Sequence, residues 1–124
     1  MEKEKKPINE LLLKKADIQT DVFPWGRLEW YARKSVNGAD ITLGFCYIKP
    51  KMENAMHSHP NCDEVLYVVE GVIVHRLNGE EIEMHEGDSL FIPQDAVHNA
   101  FNKGDTEAVL SIAFTTGNRE TLNE

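Results

Sequence analysis

The feature that most constrains this chain is the close, even spacing of its turn residues. β-Branched and aromatic residues gather in short stretches, "ITLGFCYIKP", "EVLYVVEG", "VIVHRL", "SLFIP", "VHNAFN" and "AVLSIAFTT", with Gly, Pro, Asn or Asp closing or separating them. Runs this short read as strands, and strands at such spacing, with no long helical period between them, fold as a sandwich or barrel. Two Asn-Gly pairs are hairpin signals. Asn37-Gly38 follows "RLEWYARKSV", and Asn78-Gly79 joins "VIVHRL" to "EEIEMHEGD". Residues 8–16, "INELLLKKA", fit one or two helical turns or an arm laid on a neighbour. The expected fold class is all-β.

A chain of 124 residues is one domain on length, large enough for a core without staples. Its apolar runs, such as Val65 to Val69, are too short to span a bilayer as helices. Leu11 to Leu13 is too short for a signal-peptide core, so the expected location is the cytoplasm. A net charge of −8 argues against a nucleic-acid partner, which needs a concentrated cationic surface. Cys46 and Cys62 read as free thiols.

The stretch "MHSHPNCDEVLYVVEG", residues 56–71, carries the chemistry. In a strand, residues two apart share a face, with Cα atoms roughly 6.5 Å apart, so His57 and His59 project together. Glu64 opens the next strand, and His98 opens "HNAFN". A closed barrel lets strands remote in sequence face each other, so three imidazoles and a carboxylate can converge. That set suits a divalent first-row metal and leaves two octahedral positions open, whereas a closed structural zinc site more typically uses thiolates. Spacing alone equally allows solvated histidines beside turns. His75, in a strand, and His85, in a turn before Gly87, lack such partners and read as ordinary surface or packing residues.

The motifs resemble the cupin superfamily. His57-Ser58-His59, four residues, Glu64, six residues and Gly71 follow its first motif. Gly87, Pro93, His98 and Asn102 stand in the register of its second. Two family glycines are replaced, by Lys51 at the start of the first motif and by Asp95 after Pro93. The resemblance implies a double-stranded β-helix, a jelly-roll barrel, over residues 41–114. The expected division of the rest of the chain is a flexible tail over 1–7, an N-terminal arm and first strands over 8–40, and a C-terminal tail over 115–124. His57, His59, Glu64 and His98 would hold one divalent transition metal (iron, manganese, nickel or zinc). Cupins commonly pair through N-terminal strands, which implies a homodimer with residues 8–31 at the interface.

Such a site suits a small oxygen-rich ligand: a keto or hydroxy acid, a dicarbonyl or a sugar derivative. The expected protein is an enzyme, either a dioxygenase or an isomerase, lyase or decarboxylase; the other reading is a binding or sensor module without catalysis. Glu64 is the candidate base. Phe45 and Tyr47 share one face of their strand, with Cys46 and Ile48 on the other. If the first face points inward, Tyr47 is a candidate acid or donor; if outward, it is packing. Phe45, Met52, Met56, Asn102 and Arg27 are candidate pocket residues. Arg27 and Arg33 are candidates for a substrate carboxylate, against surface arginines. Trp25 and Trp30 read as barrel or interface packing.

Overall fold

A computed structural model of the chain describes residues 5–124. Of the tail expected over 1–7, residues 1–4 lie outside the described residues, and Lys5, Lys6 and Pro7 are exposed. The arm contains one helical turn, α1 (Ile8–Leu11), and a 3-10 turn over Lys15–Asp17, and neither buries a residue. Strands β1 (Gln19–Phe23) and β2 (Gly26–Ala32) follow, then a second short helix, α2 (Lys34–Asn37), and β3 (Thr42–Ile48). The barrel continues with β4 (His57–Ser58), β5 (Glu64–Glu70), β6 (Ile73–Leu77) and β7 (Glu80–Met84). It closes with β8 (Ser89–Ile92), β9 (His98–Asn102), β10 (Ala108–Phe114) and β11 (Leu122–Asn123). Among the described residues no helix is long and apolar enough to cross a membrane.

The strands form two antiparallel sheets in the orders β1-β2-β3-β10-β5-β8 and β11-β4-β9-β6-β7. They enclose one core, to which the first sheet gives Cys46, Leu66 and Leu110 and the second gives Ile73, Met84 and Ala100. The fold is the all-β jelly-roll barrel.

Alternation decides which side chains see the interior. In β3 it is Thr42, Gly44, Cys46 and Ile48 that turn inward, in β5 Glu64, Leu66 and Val68, and in β10 Ala108, Leu110, Ile112 and Phe114. The register aligns these sets, Gly44 with Ile112 with Leu66, and Thr42 with Phe114 with Glu64. Gly44 leaves room for the fully buried Trp30: a Cβ there would lie 2.6 Å from the indole ring. The Trp30 Nε1–H donates to Asp21 at 2.9 Å.

One turn differs from expectation. Asn78-Gly79 makes the tight β6–β7 hairpin, with φ of 49° and 84° and Leu77 opposite Glu80. Asn37-Gly38 does not make a hairpin. Residues 34–37 coil into α2, and Gly38, at φ 74°, takes the left-handed C-cap position. A glycine free to adopt positive φ serves both uses, so the dipeptide does not distinguish them.

Lys51 and Asp95, at the two positions where glycine is replaced, both keep a left-handed backbone, φ 61° and 72°. The barrel therefore retains the turn geometry with side chains that pay a steric cost for it. Lys51→Gly is expected to raise the unfolding free energy by about 0.5–1 kcal/mol, and Asp95→Gly by less, because aspartate tolerates this conformation. Urea midpoints at unchanged slope would check this; a loss of stability in Lys51→Gly would contradict it.

Candidate metal centre

Three strands bring the centre together. His57 in β4 lies directly opposite His98 in β9, His59 follows β4 on the same side, and Glu64 enters from β5 in the facing sheet. One ring nitrogen from each of His57, His59 and His98 lies within 4.8 Å of the others. Glu64 Oε1 stands 3.2 Å from His98 Nε2 and 3.5 Å from His59 Nε2. His59, Glu64 and His98 are buried, and His57 is half-buried.

The other ring nitrogens are held by the backbone. Nδ1 of His57 meets the Ala55 carbonyl at 2.7 Å, that of His59 the Glu120 carbonyl at 2.9 Å, and that of His98 the Ala96 carbonyl at 2.9 Å. A carbonyl only accepts, so each Nδ1 carries the hydrogen and each neutral ring leaves Nε2 as a bare lone pair. Nε2 of His59 has no hydrogen-bond donor to satisfy it, although it is buried. Two lone pairs thus face a carboxylate with no proton donor between them. Such an arrangement requires a cation, and imidazole nitrogen with carboxylate oxygen suits a first-row divalent ion. The donor set fits a metal.

Burial, with His98 adding to it, holds His57 down to about 4, so its ring is neutral near pH 7. For Glu64, burial pushes the carboxyl up, but the adjacent rings of His59 and His98 outweigh it and hold it at about 2. The centre offers the neutral imidazole of His57 and a charged carboxylate beside the Nε2 atoms of His59 and His98.

The donors open on a cavity of about 420 Å³, within the range of small-molecule sites. Trp25, Leu28, Leu110 and Ile112 give it an apolar wall, and Asn54, Thr121 and Asn123 add polar groups. Trp25, stacked on Phe23 at 4.8 Å, lines this space as well as packing the barrel.

Several expected pocket residues lie elsewhere. Phe45 and Tyr47 are on the outer face of β3, because Cys46 takes the inward parity. Phe45 meets Tyr31 edge-on at 5.1 Å. Tyr47 lies beneath the Arg27 guanidinium at 3.7 Å, and burial and its bond to Glu29 push its hydroxyl up to about 12. Arg27 itself pairs with Glu29 and Glu107, and Arg33 is bonded to Ser35, so neither reaches the cavity. Met52 is exposed and Met56 half-buried in the connecting loop, outside the cavity lining. Asn102 is fully buried but saturated: its amide donates to the carbonyls of Ile48 and Thr106 and accepts from Gly104 N–H. It ties loops together and does not line the cavity.

Two residues inside were not anticipated. His75 is 1% exposed, stacks on His98 with ring centroids 5.7 Å apart, and has no partner for either nitrogen. Its ring faces the cavity, and burial holds it down to about 4. The alternation Ile73, His75, Leu77 against Val74 and Arg76 carried that signal, since Arg76 must face outward. The second is Arg119, in an irregular segment with no period to read. The expected C-terminal tail is in fact tied down: β11 pairs with β4, Asn61 exchanges hydrogen bonds with Asn118 and Glu120, and Glu124 N–H donates to Met56.

The comparisons agree with the fold. A cupin domain model matches residues 44–114, and the chain belongs to that family. It is 34% identical over 74 residues to the tetracenomycin polyketide synthase protein TcmJ of Streptomyces glaucescens, covering 60% of this chain and 50% of that protein. It is 31% identical over 86 residues to the auxin-binding protein ABP19b of Prunus persica, covering 65% and 41%. The chain thus spans half or less of the length of these relatives. The oxalate decarboxylase of Lactobacillus farciminis, solved as a formate complex, superposes with a TM-score of 0.81 at 19% identity, over 96% of this chain and 41% of that one. That likeness is one of fold.

A buried imidazole with two unsatisfied nitrogens costs stability. His75→Leu is expected to stabilise the protein by about 1–3 kcal/mol, read from denaturant midpoints. A destabilised His75→Leu would mean that the ring has a structural partner.

Proposed function

We propose that this cupin is a metal-dependent enzyme acting on a small oxygen-rich metabolite: a keto or hydroxy acid, a dicarbonyl or a sugar derivative. The observation that carries the reading is the set of bare lone pairs on His57, His59 and His98 converging with Glu64 in the wall of an open cavity. These four residues would hold a divalent ion, and such an ion supplies a Lewis acid with positions open to a chelating oxygen ligand. The backbone carbonyls of residues 55, 96 and 120 fix the rings, so the donor geometry is set before anything binds. Apolar walls exclude water from the bound ligand, and His75 presents an N–H donor to it. The names of the relatives support the substrate class, since oxalate and polyketides are both rich in oxygen donors.

Elemental analysis of protein purified without chelators, beside His59→Ala and His98→Ala, tests this. Stoichiometric metal in the parent, lost in both variants, is expected, together with turnover in a screen of such metabolites. Absence of metal even after reconstitution would overturn the reading. Metal and ligand binding without turnover would make the protein a binding module.

We also infer a homodimer formed through the arm. Ile8, Leu11, Leu12 and Val22 are 84, 64, 65 and 80% exposed, large apolar side chains that the described residues leave uncovered. Light scattering is expected to give twice the chain mass, and Leu11→Asp with Val22→Asp to give the monomer. A monomeric parent at micromolar concentration would refute it.

A further inference from the structure

The cavity contains one fixed cation, and it comes from outside the matched domain. Arg119 lines the metal cavity from the segment that joins β10 to β11. Its guanidinium lies over the Trp30 ring at 4.4 Å and the Phe114 ring at 5.1 Å. The side chain is half-buried. Its Nη1 donates to Thr121 Oγ1 at 2.7 Å, and its Nε is wholly buried without a partner. No carboxylate among the described residues lies within ion-pair distance of it, whereas Arg27 and Arg76 each have two. Among the described residues Glu64 is the only carboxylate lining the cavity, and it is committed to the metal donors.

A half-buried guanidinium with a buried, unpartnered Nε and no carboxylate in ion-pair reach is costly, and such a group suits a site that binds an anion. Its place over two aromatic rings restrains the guanidinium, and arginine makes a two-point contact with a carboxylate. On a protein of net charge −8, a local cation inside the cavity is also what an anionic ligand would need.

We propose that Arg119 binds a carboxylate of the ligand, so that the cavity selects oxygen chelators carrying a carboxylate beyond the chelating atoms over their neutral counterparts. This rests on the metal-centre reading above and narrows its substrate class. Thr121 supports the contact by holding Nη1, and its hydroxyl also lies 3.3 Å from His59 Nδ1.

The test uses cobalt(II)-loaded protein, whose visible absorption reports a ligand entering the metal's coordination. Acetohydroxamate is titrated first, then the monohydroxamates of succinic, glutaric and adipic acids, each beside its methyl ester. Acid and ester share the chelating group and differ in charge. At least one acid of the series is expected to bind about tenfold or more tightly than its ester, and Arg119→Gln to remove that preference. A purely structural Arg119 would give no acid-over-ester preference in the parent, which would overturn the proposal. So would a preference that persists in Arg119→Gln. Should Arg119→Gln not load cobalt, Arg119→Lys, which keeps the charge and loses the planar contact, is expected to load and to show a reduced preference; an undiminished one overturns the proposal. If cobalt-loaded parent does not respond even to acetohydroxamate, the open-metal reading fails and the role of Arg119 falls with it. A response to acetohydroxamate without acid preference refutes Arg119 alone.

Discussion

A strand has two faces, and the pairing of β3, β10 and β5 fixes which one is wet. With Thr42, Phe114 and Glu64 aligned across three strands, the carboxylate cannot leave the interior without carrying Leu66 and Val68 out as well. The same parity puts Cys46 inside and Tyr47 outside. In the second sheet, the direct pairing of His57 with His98 sets two of the rings 4.2 Å apart. The centre thus inherits its geometry from sheet register, and the hydrophobic core that enforces the register also holds the donors in place.

Backbone carbonyls supply the next layer of control. Each imidazole could rotate or change tautomer, and each is prevented by the backbone carbonyl that accepts from its Nδ1. For His57 and His98 the carbonyl belongs to the residue two positions earlier, so the ring and its anchor arise from one local bend. For His59 it comes from Glu120, sixty-one residues on, which makes that ring's orientation a matter of tertiary structure.

How much of this was legible in the sequence follows the same division. The all-β class and the convergence of His57, His59, Glu64 and His98 were readable because turn residues, two-residue spacing and the cupin motifs are local in sequence. The parity of "FCYI" was not, because Phe45, Cys46, Tyr47 and Ile48 are all suited to burial and only the neighbouring strands decide. His75 was passed over although Arg76 beside it marks the outward face. Asn102 stood in the motif for a structural reason, as the knot between the loops after β3 and β9. Arg119 had no signal at all: its segment has no period, and its place in the cavity depends on contacts with Asn61 and His59 far earlier in the chain.

The barrel and the segment over residues 115–121 answer to different rules of change. A substitution within a strand must respect parity, register and core volume together. The segment beyond β10 is irregular, and it gives the cavity an arginine along with one ring's anchor. A lineage could therefore exchange this stretch and alter which molecules are admitted while the four metal donors and the sheets around them stay as they are. Chemistry and choice of substrate would then diverge at different speeds within the same small fold.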